Sequence, residues 1–141
     1  IGKDEGARVA GGGSRLSDGT LARGHFVAPT VLTQVNDNMR VAREEIFGPV
    51  IAAIPFDDID TLSERANATV FGLGGGVWTR DIGKAHRMAA SIHAGTVWVN
   101  CYQNMDPAVP FGGYKMSGYG RESGIQHINE YLNIKSVWIN C

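Results

Sequence analysis

Gly74–Asn100, GGGVWTRDIGKAHRMAASIHAGTVWVN, decides the fold, because it reads as strand, helix and strand in direct succession. Gly74–Thr79 is an apolar run behind glycines, and Thr96–Val99 is a second one. Between them Asp81 is placed to cap a helix that runs through Ser91. Ile82, Ala85, Met88 and Ala89 recur at helical spacing and should share one face of that helix. Two strands joined by a helix of this length pair in parallel, the unit from which α/β domains are built.

Upstream the alternation continues. Ala7–Ala10 is a short apolar run ending in Gly11-Gly12-Gly13, followed by a Gly/Ser/Asp loop. Phe26–Val35 reads as extended, with Pro29 barring a central ladder position. Met39–Phe47 has helical spacing and good helix formers. Val50–Phe56 reads as a buried strand, and Asp58–Asn67 as a helix with Asp57 or Asp58 at its N-cap. Downstream, Cys101–Gly120 is long and irregular, Glu122–Tyr131 is helical, and Ile134–Ile139 is a final strand that needs a partner, inside the domain or on another subunit. The expected architecture is α/β, a mostly parallel sheet with flanking helices.

Composition narrows the function. The chain has 141 residues, 43% hydrophobic and 19% charged, with a formal net charge of −1, which suits one globular domain. Thirteen basic against 14 acidic residues, with no basic run, argue against nucleic acid and anionic membranes. No apolar run reaches the ~18 residues of a membrane span. Two cysteines, Cys101 and Cys141, form no framework, and the four histidines lack metal-ligand spacing, so no metal site is expected. A reducing, cytoplasmic compartment is the default. No signal peptide is visible, but the chain opens mid-pattern at Ile1, so an upstream targeting segment stays open. Asn67-Ala68-Thr69 matches a glycosylation acceptor, a pattern too short to carry weight.

Glycine is the outlier, at 19 residues. Neither GxGxxG nor GxxxxGK[ST] occurs, so the glycines are expected to serve turns and close backbone approaches rather than a phosphate loop. Cys101 stands at a strand end but has no cation or histidine nearby in sequence, and reads as a packed thiol. Glu44 and Glu45 are adjacent; on a helix they would diverge by about 100° and could not act as a pair. Glu45 does stand two residues before Phe47 and the turn Gly48-Pro49. A carboxylate and a ring so placed suit a ligand with two hydroxyls and a flat face. The loop 101–120 carries Tyr102, Met105, Phe111 and Tyr114, which either line a pocket or fold down as a lid on the core.

Taken in order, these segments resemble one family. EEIFGPV (Glu44–Val50) and PFGGYKMSGYGRE (Pro110–Glu122) are similar to motifs of the aldehyde dehydrogenases, and so are ANATVFGL (Ala66–Leu73) and AGTVWVN (Ala94–Asn100) between them. The resemblance runs from about Glu5 to the last strand. It implies the C-terminal part of the catalytic domain over residues 1–130 and an oligomerisation strand over 131–141, by which a homo-oligomer forms. It also implies a reaction: a thiolate attacks an aldehyde, hydride passes to NAD or NADP, and water releases the acid. In the family the cysteine nucleophile, in a GQxC-type segment, and the glutamate base precede EEIFGPV. This chain has no Gly-Gln dipeptide; its glutamines are Gln34, Gln103 and Gln126.

Residue by residue, the resemblance assigns Glu45 to the nicotinamide ribose hydroxyls and Phe47 to the ring beside them. Phe111 matches an aromatic near the aldehyde. Met105 falls where many members place an aromatic tunnel residue, which implies a softer apolar wall here. Gln103 and Asn104 fall near the tunnel mouth. Glu122 matches a carboxylate used by some members in a proton relay. The isolated chain is expected to be inactive. The alternative is a catalytically silent assembly module, working through an exposed final strand.

Overall fold

Two β-α-β crossovers organise the chain, one in each of two units, Ile1–Ile59 and Asp60–Cys141. They are seen in a computed structural model that describes all of residues 1–141. No helix is long and apolar enough to cross a membrane.

In the first unit β1 (Arg8–Gly11) leads to a two-residue hairpin pair, β2 (Arg15–Leu16) with β3 (Phe26–Val27), around a 3-10 turn at Gly19–Arg23. Ala28-Pro29 then breaks the extended stretch expected over Phe26–Val35, and β4 (Thr30–Thr33) begins after it. A short helix, α1 (Arg40–Arg43), carries the chain to β5 (Val50–Ala52). The sheet order is β1-β4-β5; β4 and β5 are parallel in register Thr30 to Val50, while β1 returns antiparallel with a bulge at Ala10. Ala7, Leu32, Val35 and Met39 form the buried core, flanked by Val41, Val50 and Ile54. Thr30 is buried but satisfied: its Oγ1 accepts from Gly13 N and donates to Ala28 O, both at 2.8 Å.

Two expectations fail here. The helix expected over Met39–Phe47 is only the four residues of α1, and Glu44 is already extended. Gly48 precedes a proline and is excluded from helical geometry, and Ile46 and Phe47 find no core to bury against. The strand expected over Val50–Phe56 stops at Ala52, and Ile51 is exposed rather than buried.

α2, Ile59–Asn67, begins one residue later than expected, and all of it but Ile59 belongs to the second unit. After it come β6 (Phe71–Gly72), β7 (Gly74–Val77), α3 (Ile82–Ser91), β8 (Thr96–Val99) and β9 (Tyr114–Lys115). β7 and β8 are parallel over four residue pairs, and β6 pairs antiparallel with β9. Asp81 caps α3 as expected, its carboxylate accepting from Lys84 N at 3.0 Å. That hydrogen bond holds the Asp81 carboxyl below its ordinary range. Ala85 and Met88 are buried on the inner face and Ala89 is half-buried, but Ile82 is exposed and does not join them. Asn67 is committed to structure: its amide donates to Ser91 O and accepts from His93 N, each at 2.7 Å, tying α2 to the end of α3.

Glu122–Tyr131 is not one helix. Glu122 pairs across with Phe111, Ser123 and Gly124 follow with positive φ, and a 3-10 helix runs only over Ile125–Tyr131. Beyond it, residues 132–141 form no ladder within this chain, and Ile134, Val137, Trp138 and Ile139 are exposed. The partner sought inside the domain for the final strand is therefore not used.

Candidate functional site

The loop after β8 is shaped from both ends. At its start Asn100, with φ 54°, turns its amide back on Thr79: Thr79 N donates to Oδ1 and Nδ2 donates to Thr79 O, both at 2.9 Å. The side chain thus adds one more rung beyond the β7–β8 ladder. Gln103 is a second left-handed residue, φ 59°, and it folds the loop so that Asn104 O accepts from Trp98 Nε1 at 2.9 Å. Tyr102 packs on Trp98, ring centroids 4.8 Å apart, and on Trp78 at 6.1 Å. At the far end Phe111 and Glu122 exchange backbone hydrogen bonds at 2.7 Å in each direction.

Between these ends lies an open cleft of about 800 Å³. Gln103, Asn104, Met105 and Phe111 all line it, with Trp98 and Asp106. All four residues assigned to substrate thus come together at one place. Of the four residues in the pocket reading of the loop, Met105 and Phe111 line this cleft and Tyr102 and Tyr114 do not; Tyr102 and Met105 are exposed rather than folded into the core.

Glu122 lies apart from that group. It lines a smaller hollow of about 400 Å³ with Phe111, Arg121, His127 and Glu130. Phe111 belongs to both. The Glu122 side chain is exposed, while its neighbour Arg121 donates from Nη1 to Gly113 O at 3.0 Å and Gly120 O at 2.6 Å. Its guanidinium also lies 5.3 Å from the Tyr114 ring centre. Sequence reading missed Arg121 and Trp98. The signal for Arg121 was a lone cation inside a glycine-rich turn; for Trp98 it was an indole two residues before the loop.

Glu45 and Phe47 belong to the first unit. Glu44 is bound through both oxygens to Arg40, at 2.6 and 2.8 Å, and this hydrogen-bonded pair lowers the Glu44 carboxyl. The two carboxylates therefore differ in kind: Glu44 is spent on Arg40, and Glu45 makes no hydrogen bond. Both lie past the end of α1, so the helical geometry assumed for them does not apply. Phe47 stands at φ 50° with its ring 94% exposed. Glu45 and Phe47 are thus both open to solvent, two residues apart, just before the turn Gly48-Pro49. Cys101 is half-buried and Cys141 exposed, both as free thiols.

The sequence profile of the aldehyde dehydrogenase family matches residues 1–137. The chain belongs to this family. It is 52% identical over 139 residues to DhaS of Bacillus subtilis (strain 168), a protein named as an aldehyde dehydrogenase; the match covers 99% of this chain and 27% of that protein. Among solved structures, the NAD+ complex of an aldehyde dehydrogenase from Bacillus cereus is 50% identical, with a TM-score of 0.90, over 99% of this chain and 28% of that one. The NAD+ complex of betaine aldehyde dehydrogenase from Staphylococcus aureus is 42% identical, with a TM-score of 0.89, over 93% and 26%. This aldehyde dehydrogenase chain thus spans about a quarter of the length of the relatives it matches, and the motifs EEIFGPV and PFGGYKMSGYGRE both fall inside the matched residues.

Proposed function

We propose that the chain acts as the C-terminal part of the catalytic domain of an NAD-dependent aldehyde dehydrogenase, which oxidises an aldehyde to the acid. The observation that carries this reading is the family match over residues 1–137, and the bound NAD+ of the neighbouring structures favours NAD over NADP. Bound NAD supplies the hydride acceptor. Glu45 would hold the nicotinamide ribose by accepting from its two hydroxyls, with Phe47 beside it. Gln103, Asn104, Met105 and Phe111 line the aldehyde path. Glu122, exposed beside the hollow, passes a proton. The attacking thiolate and the base come from sequence outside these 141 residues, so the chain alone does not turn over aldehyde. Residues 131–141 supply the contact by which subunits assemble, and free thiols at Cys101 and Cys141 suit a reducing cytoplasm.

The test uses the parent polypeptide. Hydrogen bonds to a charged carboxylate are worth about 1.5–3 kcal/mol, so Glu45→Gln should raise the KM for NAD by about ten- to hundredfold. Phe47→Ala should slow hydride transfer, read as single-turnover NADH formation. Wild-type values in both variants would sink the assignment of this segment to the coenzyme.

A further inference from the structure

The glycine run of β7 makes room for rings. Successive residues of a strand face opposite sides, so Gly74 and Gly76 share one face and Gly75 takes the other. β8 runs parallel beside β7 with Trp98 paired to Gly76, so the indole leaves the sheet on the face that Gly74 and Gly76 keep bare. A Cβ on Gly74 would lie 2.8 Å from a Trp98 ring carbon, and one on Gly76 would lie 2.9 and 3.0 Å from two ring carbons of Tyr102. Carbon atoms pack no closer than about 3.5–4.0 Å, so both rings rest directly on the strand. On this seat Tyr102 is tilted against Trp98, centroids 4.8 Å apart and planes at 53°, and stacked on Trp78 at 6.1 Å and 27°. Of Tyr102 and the two indoles, only Trp98 lines the cleft, and its Nε1 donates to Asn104 O at 2.9 Å. A single hydrogen bond leaves an indole free to rock about its N–H. A ring seated on the strand beside it removes that freedom, and pairs in tilted or offset contact attract each other beyond the area they bury.

From this packing, and resting on the dehydrogenase reading above, we infer that Tyr102 is a positioning residue for aldehyde oxidation: seated on Gly74 and Gly76, it fixes the Trp98 indole as a wall of the cleft that receives the aldehyde.

The test is made on the parent enzyme, with whichever of hexanal, benzaldehyde and acetaldehyde it oxidises best. Tyr102→Ala should lower kcat/KM for that aldehyde about three- to tenfold, the worth of one or two aromatic pairs. KM for NAD should keep its wild-type value, because Glu45 and Phe47 belong to the other unit. Tyr102→Phe keeps the ring and should keep the wild-type kcat/KM. Gly76→Ala removes no ring but pushes Tyr102 off its seat, and should reproduce the loss. Combined with Tyr102→Ala it should add little, since the ring it displaces is already gone. Should Tyr102→Ala not fold, Gly76→Ala carries the same comparison. Wild-type kcat/KM for the aldehyde in both variants overturns the role of Tyr102. A fall in kcat/KM for the aldehyde with an equal rise in KM for NAD, matched by a lower midpoint in urea, makes the ring a matter of stability alone and overturns it too. A loss in Tyr102→Phe as large as in Tyr102→Ala moves the effect to the hydroxyl and overturns the seat. No oxidation of any of the three aldehydes by the wild-type enzyme, with either coenzyme, overturns the dehydrogenase reading and this inference with it.

Discussion

Gly95, just before β8, has no room for a side chain: a Cβ there would fall on the carbonyl oxygen of Gly112, where the loop returns. The obstacle is backbone, so it cannot swing aside. Gly95→Ala should destabilise the parent protein by about 3 kcal/mol, the upper range for overpacking, seen as a lowered midpoint in urea denaturation. Asp81 gives a prediction in pH. Its carboxyl is held low by the Lys84 hydrogen bond, so the folded form binds its proton less readily than the unfolded chain. Its contribution is therefore complete above the ordinary aspartate range and is lost as pH falls through the lower folded value. Hydrogen exchange of the α3 amides should accelerate across that acidic window, and Asp81→Ala should remove the dependence. Such local devices were partly legible. Asp81 announced itself as a cap, and Gly95 lay in a quoted motif, but no sequence pattern says which carbonyl a glycine must admit.

Among the elements, β7, α3 and β8 were legible because period and length agree, and packing rewards both. The helix over Met39–Phe47 was misread because good helix formers persist past Arg43 with nothing to bury against. The strand expected over Ile134–Ile139 has the right residues and no partner in this chain. If a second subunit supplies that partner, Trp138→Asp and Ile134→Asp together should shift the parent protein to a smaller species in sedimentation; an unchanged oligomer would remove this segment from the contact. The return loop has its own fastening. Lys115 Nζ donates to Asn67 O at 2.8 Å and Thr69 O at 3.0 Å, while Ser117 Oγ accepts from Gly72 N at 3.0 Å. Lys115→Met should cost about 1 kcal/mol, since the bonds lie at the surface, and should raise hydrogen exchange over residues 111–122 without altering α3.

The whole chain buries little. Its accessible surface is 11049 Å², whereas two separate globules the size of its two units would expose about 8,600 Å² together. No side chain is fully buried, and Phe47, Ile134 and Trp138 are almost bare. Expressed by itself the chain should bind hydrophobic dyes strongly and aggregate without a fixed stoichiometry, and the parent protein should do neither. At this scale the sequence was least legible, because a 43% hydrophobic composition does not say whether the apolar residues face their own core or something else. One arrangement in the second unit nonetheless reaches beyond stability. The segment from Cys101 to Val109 leaves from Asn100, clasped to Thr79, and returns at Phe111, clasped to Glu122. Neither clasp draws on a side chain between them. Such a segment is a replaceable cartridge. A lineage can rewrite its side chains while both clasps, and the backbone path they fix, stay unaltered.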